Sequence, residues 1–599
     1  MNFHLRSWLP ATGAFLFFSL PVYGEPTLNG NSLRLRQILS SQETNGSNPI
    51  PKTFLPFKSQ SVSPYILMHT GCREGDHNGS WKRHAVYRGS VASGRTIHVL
   101  YPTYDGVAAT NNRNAYNCLA SGATVMTYNN PDGTDNEPRA NPAQADQNNG
   151  LHASFGDATT SQAVWVGRGI GGNTGTIYNE DASSCLGLIT TANTPVVPAR
   201  GLDPDLRVAN VGASPDTIVV YLSYFNAVAT IGATTSKDGG VTWSAPVDVT
   251  ASSFLNFAVA NNATNPKVQH VFSTGTSDSS AFDDVEEILY VKSADYGLTW
   301  SPAVSVSGPY ELPTYIPLFT GSLTSIIIGD TAHVVWLDHA YDQDTLPGGH
   351  IHHLAITPDG SVTGPHKVAD INLFLREDYD PYGFGLTQFD WQHPTCAYNS
   401  ETHLMYVLWS APPDNGLGGF ADSANPSVAG GRIFANNDIW CSASRTNGRS
   451  WDAMQNVTQT NHPGCDGTTT PCEHEFYISA AEVADSVIYV VTQVQKFPGF
   501  QVAFGDFGPD TRLSDEWRLY LVPARTPEVN CATAIKGDLN EDGLLSPADV
   551  VAELNCAFLG ILPILGDCAC DLNCDSMATG ADVVEELNNV FLGVPFSCP

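Results

Sequence analysis

Short runs of β-branched and aromatic residues recur between about residues 83 and 525, separated by Gly, Asn, Asp and Pro. Each run has the composition of a β-strand, and no long amphipathic helical pattern interrupts the series. The runs start roughly 45–85 residues apart, whereas one blade of a β-propeller takes about 40–50 residues. The pattern therefore predicts a mainly β chain, a propeller of seven blades with long insertions or of six. The runs are 217–222, 288–291, 332–337, 404–409 and 487–491.

A turn motif recurs within this region. Residues 236–243 and 293–300 both spell Ser-x-Asp-x-Gly-x-Thr-Trp, and residues 444–451 repeat it with Thr in place of the acid. A short Asp or Ser side chain can bond the backbone of its own turn, Gly tolerates positive φ, and Trp covers the base of the hairpin. The motif resembles the Asp box, or BNR repeat, of sialidases and related β-propellers. In that family these turns lie at the blade periphery, so the resemblance implies a structural role for Asp238 and Asp295.

The same resemblance implies what a catalytic site would require. Sialidases clamp the substrate carboxylate with three arginines, and they use a Tyr nucleophile activated by Glu and an Asp as acid/base. The first arginine usually lies in a Phe/Tyr-Arg-Ile-Pro motif, which this sequence lacks; Tyr-Arg-Gly-Ser at 87–90 is the nearest approach. We therefore assign no catalytic residue. If the chain is an enzyme, the resemblance implies a glycoside hydrolase of the exo-sialidase type.

Carboxylates and histidines also cluster after the run that ends at residue 337. Asp338 is followed by His350, His352 and His353. On a strand, His350 and His352 would share a face and could bind a metal or act in acid–base chemistry. The sequence favours the alternative, a solvated loop. Three further segments combine aromatic and carboxylate side chains suited to sugar contact: 377–380, 390–393 and 473–477.

The C-terminal region contains a tandem loop motif. Residues 538–549 carry oxygen-bearing side chains at positions 1, 3, 5, 9 and 12 and Gly at 6. This is the spacing of an EF-hand calcium loop, with Asp instead of Glu at position 12. The pattern recurs thirty-three residues later with Ser576 at position 6. The predicted calcium ligands are Asp538, Asn540, Asp542, Leu544 (by its carbonyl), Ser546 and Asp549 in the first loop, and Asp571, Asn573, Asp575, Met577 (by its carbonyl), Thr579 and Asp582 in the second.

A predicted helix follows each loop. Residues 548–560 match residues 581–593 at ten of thirteen positions. Apolar side chains fall on one face of each helix: Val550, Val551, Leu554 and Phe558 in the first, and Val583, Val584, Leu587 and Phe591 in the second.

A loop followed by one helix thus occurs twice in succession. This arrangement resembles a type I dockerin over about residues 531–598. The resemblance implies two bound calcium ions and a cohesin-like protein partner. Loop positions 10 and 11, often Ser-Thr in cohesin-binding members, are Pro-Ala at 547–548 and Gly-Ala at 580–581. The alternative is therefore a calcium- and disulfide-stabilised structural cap.

The ends of the chain and its cysteines indicate export. Residues 1–24 combine an early Arg, a short apolar run and small residues before a cleavage point, which is the pattern of a signal peptide. The thirteen cysteines fit an oxidising compartment. Cys465 and Cys472 predict a local disulfide, with a zinc site using His462 and His474 as the alternative. The predicted division is 1–24 signal peptide, 25–62 flexible leader, 63–528 propeller and 529–599 dockerin-like module.

Charge narrows the function classes. With 60 acidic and 28 basic residues the formal charge is −32, which excludes a nucleic-acid binder because phosphate neutralisation needs clustered Lys and Arg. Beyond the signal peptide, no stretch is long and apolar enough to span a bilayer. These observations predict a secreted protein with a carbohydrate or glycoprotein ligand. It would act either as a glycoside hydrolase in polysaccharide degradation or as a non-catalytic propeller that binds glycan or protein.

Overall fold

The computed structural model shows a chain built mainly of β-strands, with two short helices near the C-terminal end. The predicted signal peptide and leader lie outside the residues it describes. The described residues are 63–72, 82–90, 92–104, 112–127, 150–155, 160–168, 176–181, 184–193, 202–209, 216–226, 228–251, 257–275, 287–308, 315–317, 323–340, 349–371, 393–413, 436–460, 462–466, 469–496, 515–524, 536–539, 545–559, 572–573 and 579–597.

The strands follow one another closely along the described chain. In chain order they are β1 (Tyr65–Cys72), β2 (Ala85–Ser90), β3 (Gly94–Tyr104), β4 (Asn112–Leu119), β5 (Gly150–Ala153), β6 (Ala163–Arg168), β7 (Thr176–Asp181), β8 (Ile189–Asn193), β9 (Leu202–Val208), β10 (Ile218–Asn226), β11 (Val228–Ser236), β12 (Val247–Ala251), β13 (Phe257–Ala260), β14 (Gln269–Gly275), β15 (Glu287–Ser293), β16 (Val304–Ser305), β17 (Tyr315–Pro317), β18 (Leu323–Ile328), β19 (Thr331–Ala340), β20 (Gly349–Ile356), β21 (Val362–Ile371), β22 (Thr395–Asn399), β23 (Leu404–Ala411), β24 (Asp438–Ser444), β25 (Gln455–Asn456), β26 (His474–Ala480), β27 (Val487–Gln495) and β28 (Asp515–Pro523).

These strands form seven antiparallel sheets, each a blade of a β-propeller. In chain order the blades are β2–β4, β5–β8, β9–β12, β13–β16, β17–β21, β22–β25, and β26–β28 with β1. The first strand of each blade, or β18 in the fifth, lies innermost and contacts the innermost strands of its neighbours. The predicted fold class is confirmed, and the blade number is seven rather than six.

The ring is closed by its first strand. β1 pairs antiparallel with β28, with Tyr65 opposite Tyr520, so the last blade combines both ends of the propeller segment. Opening the ring would therefore break main-chain hydrogen bonds between segments far apart in sequence. All five predicted runs form strands: β10, β15, β19, β23 and β27.

Large aromatic side chains fill the spaces between blades. Trp165, Trp336 and Trp409 are fully buried in the second, fifth and sixth blades. Each lies on the strand that pairs with the innermost strand of its blade. Trp517 is buried on β28 of the seventh. Each such ring removes about 150–250 Å² from water, so the apolar sides of the runs account for much of the core.

The turns between third and fourth strands repeat one set of hydrogen bonds. In the third blade, Ser236 Oγ donates to Asp238 Oδ1 at 2.8 Å, and Gly240 N donates to Ser236 Oγ at 2.8 Å. Asp238 Oδ1 accepts from Thr242 N at 2.8 Å, and Trp243 Nε1 donates to the Gly240 carbonyl at 3.1 Å. The hydrogen bonds from Thr242 lower the pKa of Asp238 to about 2. The acid ties its own turn, as predicted.

The other two copies keep this arrangement. In the fourth blade, Asp295 Oδ1 accepts from Thr299 N at 2.9 Å. In the sixth, Thr446 Oγ1 takes the place of the carboxylate and accepts from Ser450 N at 2.8 Å. The hydroxyl is a sufficient acceptor, which explains why the degenerate copy forms the same turn.

Two helices follow the C-terminal loops: α1 (Pro547–Leu559) and α2 (Gly580–Leu592). Thr579 begins α2 with a capping box shared with Asp582, and Gly593 ends it at φ 64°. The two helices contact each other. Both predicted helices are confirmed. None of the helices in the described residues has the length and hydropathy needed to cross a membrane.

Two disulfides are present in the described residues, Cys118–Cys185 and Cys465–Cys472. The second was predicted, and it removes the alternative of a zinc site at that pair. Cys396 and Cys441 are buried.

Candidate functional site

Innermost strands of several blades converge on a narrow polar channel. Lys82 Nζ donates to the Phe257 carbonyl at 2.7 Å, and Arg83 Nη2 donates to the Ser325 carbonyl at 3.0 Å, so cationic side chains link distant blades. The free space holds only about two water molecules, so no sugar ring fits among these side chains. Polar residues lining the channel are Lys82, Arg83, Asp205, Arg207, Thr324, Ser325, Thr395 and Ser479.

Arg207, which lines the channel, and Arg88 are both buried. Arg88 donates from Nη1 to Glu482 Oε1 at 2.7 Å and from Nη2 to the Ala153 carbonyl at 2.8 Å. Arg207 donates to Asp205 Oδ1 at 2.8 Å and to the carbonyl of Val259. Both guanidinium groups are therefore engaged by protein acceptors.

The three arginines surround one histidine. Burial holds the pKa of His152 well below its usual value, and the charges of Arg88, Arg207 and Arg83 lower it further. Three arginines thus come together, as a sialidase clamp would require. Each is bonded to a main-chain carbonyl, however, and Arg88 and Arg207 are neutralised by buried acids. The three arginines therefore connect neighbouring blades to one another.

A tyrosine and a glutamate of the types that sialidases use also meet. Tyr520 donates to Glu475 Oε1 at 2.5 Å, and Arg518 Nη1 donates to the Tyr520 hydroxyl at 3.1 Å. Burial raises the pKa of Glu475 to about 8, and the charge of Asp438 adds to the effect. Tyr520 and Glu475 are both 0 % exposed, so no substrate can contact them in this structure.

The segment 473–477 does not present a sugar-binding surface. Glu473 accepts from Lys496 Nζ at 2.6 Å and pairs with Arg518, and most of the following side chains are buried. His393 is 3 % exposed and stacks on Tyr477 with ring centroids 6.2 Å apart. The expectation of sugar contact is wrong for 473–477, while 377–380 and 390–392 lie outside the described residues.

Asp338 and the histidines after it lie on strands, so the solvated-loop interpretation is wrong. Asp338 is 1 % exposed on β19, and its register partner on β20 is His350. His350 Nδ1 lies 3.1 Å from Asp338 Oδ1, and His352 Nε2 lies 2.7 Å from Oδ2. Burial alone would raise the pKa of Asp338, but the hydrogen bonds and charges of both histidines lower it. His353 points to the opposite side, 2.9 Å from His333.

The cluster of Asp338, His350 and His352 could bind a metal ion or form hydrogen bonds among its own side chains. Its ligand atoms all lie within 4.8 Å of one another, which could accommodate a metal ion. The contacts of 2.7 and 3.1 Å suit hydrogen bonds better, because ligands about 2.0–2.1 Å from a tetrahedral metal lie farther apart. An Asp held between two histidines is therefore the arrangement present.

Half of the predicted calcium ligands fall in the described part of the chain. Asp549 Oδ1 accepts from Leu539 N at 2.9 Å, and Oδ2 accepts from Ser546 N at 2.8 Å. The second repeat matches it, since Asp582 accepts from Leu572 N at 2.9 Å and from Thr579 N at 2.8 Å. The acid at position 12 thus joins both ends of its loop. Six predicted ligands lie outside the described residues: Asn540, Asp542, Leu544, Asp571, Asp575 and Met577.

The buried faces of the helices differ from the predicted apolar faces. Val550 and Val583 are buried, as are Glu553 and Glu586 at matching positions of the two repeats. Burial raises the pKa of Glu553 to about 8 and that of Glu586 to about 7. The repeat spacing contained this signal, since each Glu follows its buried Val by three residues. The exposed apolar residues are Val551, Leu554, Phe558, Val584, Leu587 and Phe591.

The residues of this module fit a calcium ion. Within the described residues, both carboxylate oxygens of Glu553 and of Glu586 lack a hydrogen-bond partner. Asp538, Asp549 and Asp582 are also buried nearby, and a buried carboxylate is costly unless a donor or cation meets it. Calcium takes six to eight oxygen ligands, which is the donor type present.

No protein-family model and no curated protein sequence matches the chain. Among solved structures it is similar to an α-L-arabinofuranosidase from Fusarium graminearum, at TM-score 0.36 and 9% identity, covering 63% of this chain and 92% of that one. It is similar to the endosialidase of phage phi92, at TM-score 0.35 and 11% identity, covering 79% and 72%. A sialidase from Streptococcus pneumoniae gives TM-score 0.34 and 9% identity, covering 58% and 67%. Similarities this low carry no argument about substrate or activity.

Proposed function

We propose that this chain is a secreted propeller that binds carbohydrate without hydrolysing it, and that its C-terminal module binds two calcium ions. The resemblance of the three Ser-to-Trp turns to Asp boxes supports a glycan ligand. One observation carries the non-catalytic part. Arg83, Arg88 and Arg207 are held by carbonyls and buried acids, so none is free to clamp a substrate carboxylate.

Among the described residues, ligand binding would then involve the blade ends rather than the interior of this channel. The axial channel has space for about two waters only. At one end of the fifth blade, Asp338, His350 and His352 offer polar groups, and the histidine rings remain partly exposed. Stacking of His352 on Trp336, with centroids 5.4 Å apart, holds that ring in place.

A glycoside hydrolase is the second candidate. The hydrogen bond from Tyr520 to Glu475 beside Arg518 favours it, because these are the residue types of a sialidase nucleophile and its base. Complete burial of both groups weighs against it. We therefore place hydrolysis second.

Binding on a glycan array tests the proposal for the ring. The full exported chain, loaded with calcium, should bind at least one class of glycan. His352→Ala should weaken that binding, whereas Val362→Ala, partly exposed on β21 opposite Ile356 and away from His352, serves as the control. Absence of binding to any glycan would refute a carbohydrate ligand and leave a protein ligand as the alternative.

Limited proteolysis tests the proposal for the C-terminal module. Chelation of calcium should expose residues 531–598 to cleavage while the propeller remains resistant. An unchanged cleavage pattern would refute calcium binding. Whether the module also docks a cohesin-like partner is a separate proposal, which rests on the dockerin resemblance and is tested by pull-down with purified cohesins.

A further inference from the structure

Two buried glutamates occupy equivalent places in the C-terminal repeats. Glu553 on α1 and Glu586 on α2 are both 0 % exposed. No residue in the described part of the chain is a hydrogen-bond partner of any of their four carboxylate oxygens. Neither residue is among the predicted loop ligands. Unpartnered buried carboxylates are rare because desolvation of the charge is expensive, so their presence in both repeats calls for a cation.

Glu586 lies against the loop of the other repeat. A Cβ atom built on Gly537 would lie 2.6 Å from Glu586 Oε2, so the carboxylate rests against the residue that precedes Asp538. After burial, the charges that most raise the pKa of Glu586 are those of Asp549 and Asp538, both in the first loop. Glu553 occupies the equivalent position in the first repeat, on a helix that contacts α2, and the charges of Asp582 and Glu586 add to the effect of burial on its pKa. The equivalence of the two repeats therefore places Glu553 toward the second loop.

The loops also have a reason to need an additional oxygen. Position 12 of an EF-hand loop is normally Glu, whose longer side chain supplies two ligand oxygens. Here it is Asp549 or Asp582, and both oxygens of each already accept main-chain N–H groups. A carboxylate from the opposite helix is positioned to supply an oxygen ligand that the shorter Asp side chain does not.

We propose that Glu586 supplies an oxygen ligand to the calcium ion of loop 538–549, and Glu553 one to the ion of loop 571–582. Each ion would then be held by both repeats, and loading would fasten each helix to the opposite loop. This inference rests on the proposed calcium binding. It adds two ligands that the loop motif does not contain.

Calorimetric calcium titration of the full chain tests it in two single-loop backgrounds. Asp571→Ala leaves the first loop, and Asp538→Ala leaves the second. In the Asp571→Ala background, Glu586→Gln should weaken calcium binding about 10- to 100-fold, whereas Glu553→Gln should leave it within about twofold. In the Asp538→Ala background the two effects should be exchanged. Glu585→Gln, on the same helix and bonded to Ser597 N at 2.8 Å, is the matched control.

The outcomes separate the two proposals. A wild-type chain that binds no calcium refutes the proposed function and this inference together. A chain that binds two ions, with neither Gln variant weakening either site, overturns the inference alone. Weakening by each Gln only of its own repeat's loop also overturns it. Proteolysis in the presence of chelator controls for folding. Because each Glu→Gln substitution removes an unpaired buried charge, the calcium-free variants should be at least as resistant to cleavage as wild type. Greater sensitivity to cleavage would assign the glutamates a packing role instead.

Discussion

Arg88 in the first blade donates from Nη1 to Glu482 Oε1 in the seventh blade at 2.7 Å, and the two side chains are only 6% and 14% exposed. The same guanidinium reaches the carbonyl of Ala153 in the second blade. One residue thus connects three blades at the point where the ring closes. A clamp for substrate would need this group free, so its position supports a structural use of the arginine.

Loss of Arg88 should destabilise the ring strongly. Arg88→Met leaves the largely buried Glu482 with only the more distant Arg83, 3.9 Å away, and we expect the free energy of unfolding to fall by up to about 3–5 kcal/mol in urea titration. Arg445→Ala is the control, because its pair with Asp452 is 3.9 Å long and partly exposed, and should cost at most about 1 kcal/mol. Equal effects of the two variants would show that closure of the ring does not depend on the pair of Arg88 and Glu482.

The contribution of Glu475 to the stability of the propeller should fall as pH rises from about 4.5 to about 8. Burial, followed by the charge of Asp438, raises the pKa of Glu475 from 4.5 to about 8, so the folded chain keeps a proton that the unfolded chain has lost. The stabilisation is complete below pH 4.5 and is lost towards pH 8, by roughly 3–5 kcal/mol. Urea titrations across this range, with calcium saturating, should show the free energy of unfolding of wild type falling relative to that of Glu475→Gln. The exposed Glu401→Gln should behave as wild type, and identical profiles for Glu475→Gln and wild type would contradict the prediction.

The repeated turns should depend on their serines. Ser293 is 1 % exposed, and its hydroxyl accepts from Gly297 N at 2.9 Å. Ser293→Ala leaves that N–H buried without an acceptor, at a cost of about 1–3 kcal/mol in urea titration. Ser444→Ala should match it, since Ser444 accepts from Gly448 N at 2.8 Å. Ser305→Ala, at an exposed position, should stay within about 0.5 kcal/mol, and a Ser293→Ala variant as stable as this control would refute the argument.

Most of the fold could be predicted from local sequence patterns. The strand runs, the three turns and the Cys465–Cys472 bridge were predictable because their partners lie within a few residues of one another. The two C-terminal helices followed from their repeat. The number of blades needed the structure, since long insertions blur the spacing of the runs.

Contacts between distant segments were not predictable. The position of Asp338 between His350 and His352 depends on the register of β19 against β20, which no local pattern gives. Arg83, Arg88 and Arg207 meet only because the ring closes. Glu553 and Glu586 were overlooked because an acid on a helix normally faces water, whereas here the exposed face carries much of the apolar surface.

Sugar release by the full chain tests the central claim most directly. The chain, loaded with calcium, should be incubated with a broad panel of glycans that includes sialosides and arabinans, and free sugar should be quantified over time. We predict binding without release, because the arginines are engaged and the Tyr520–Glu475 pair is buried. Steady release that is abolished in Tyr520→Phe would contradict this account and identify the chain as a glycoside hydrolase.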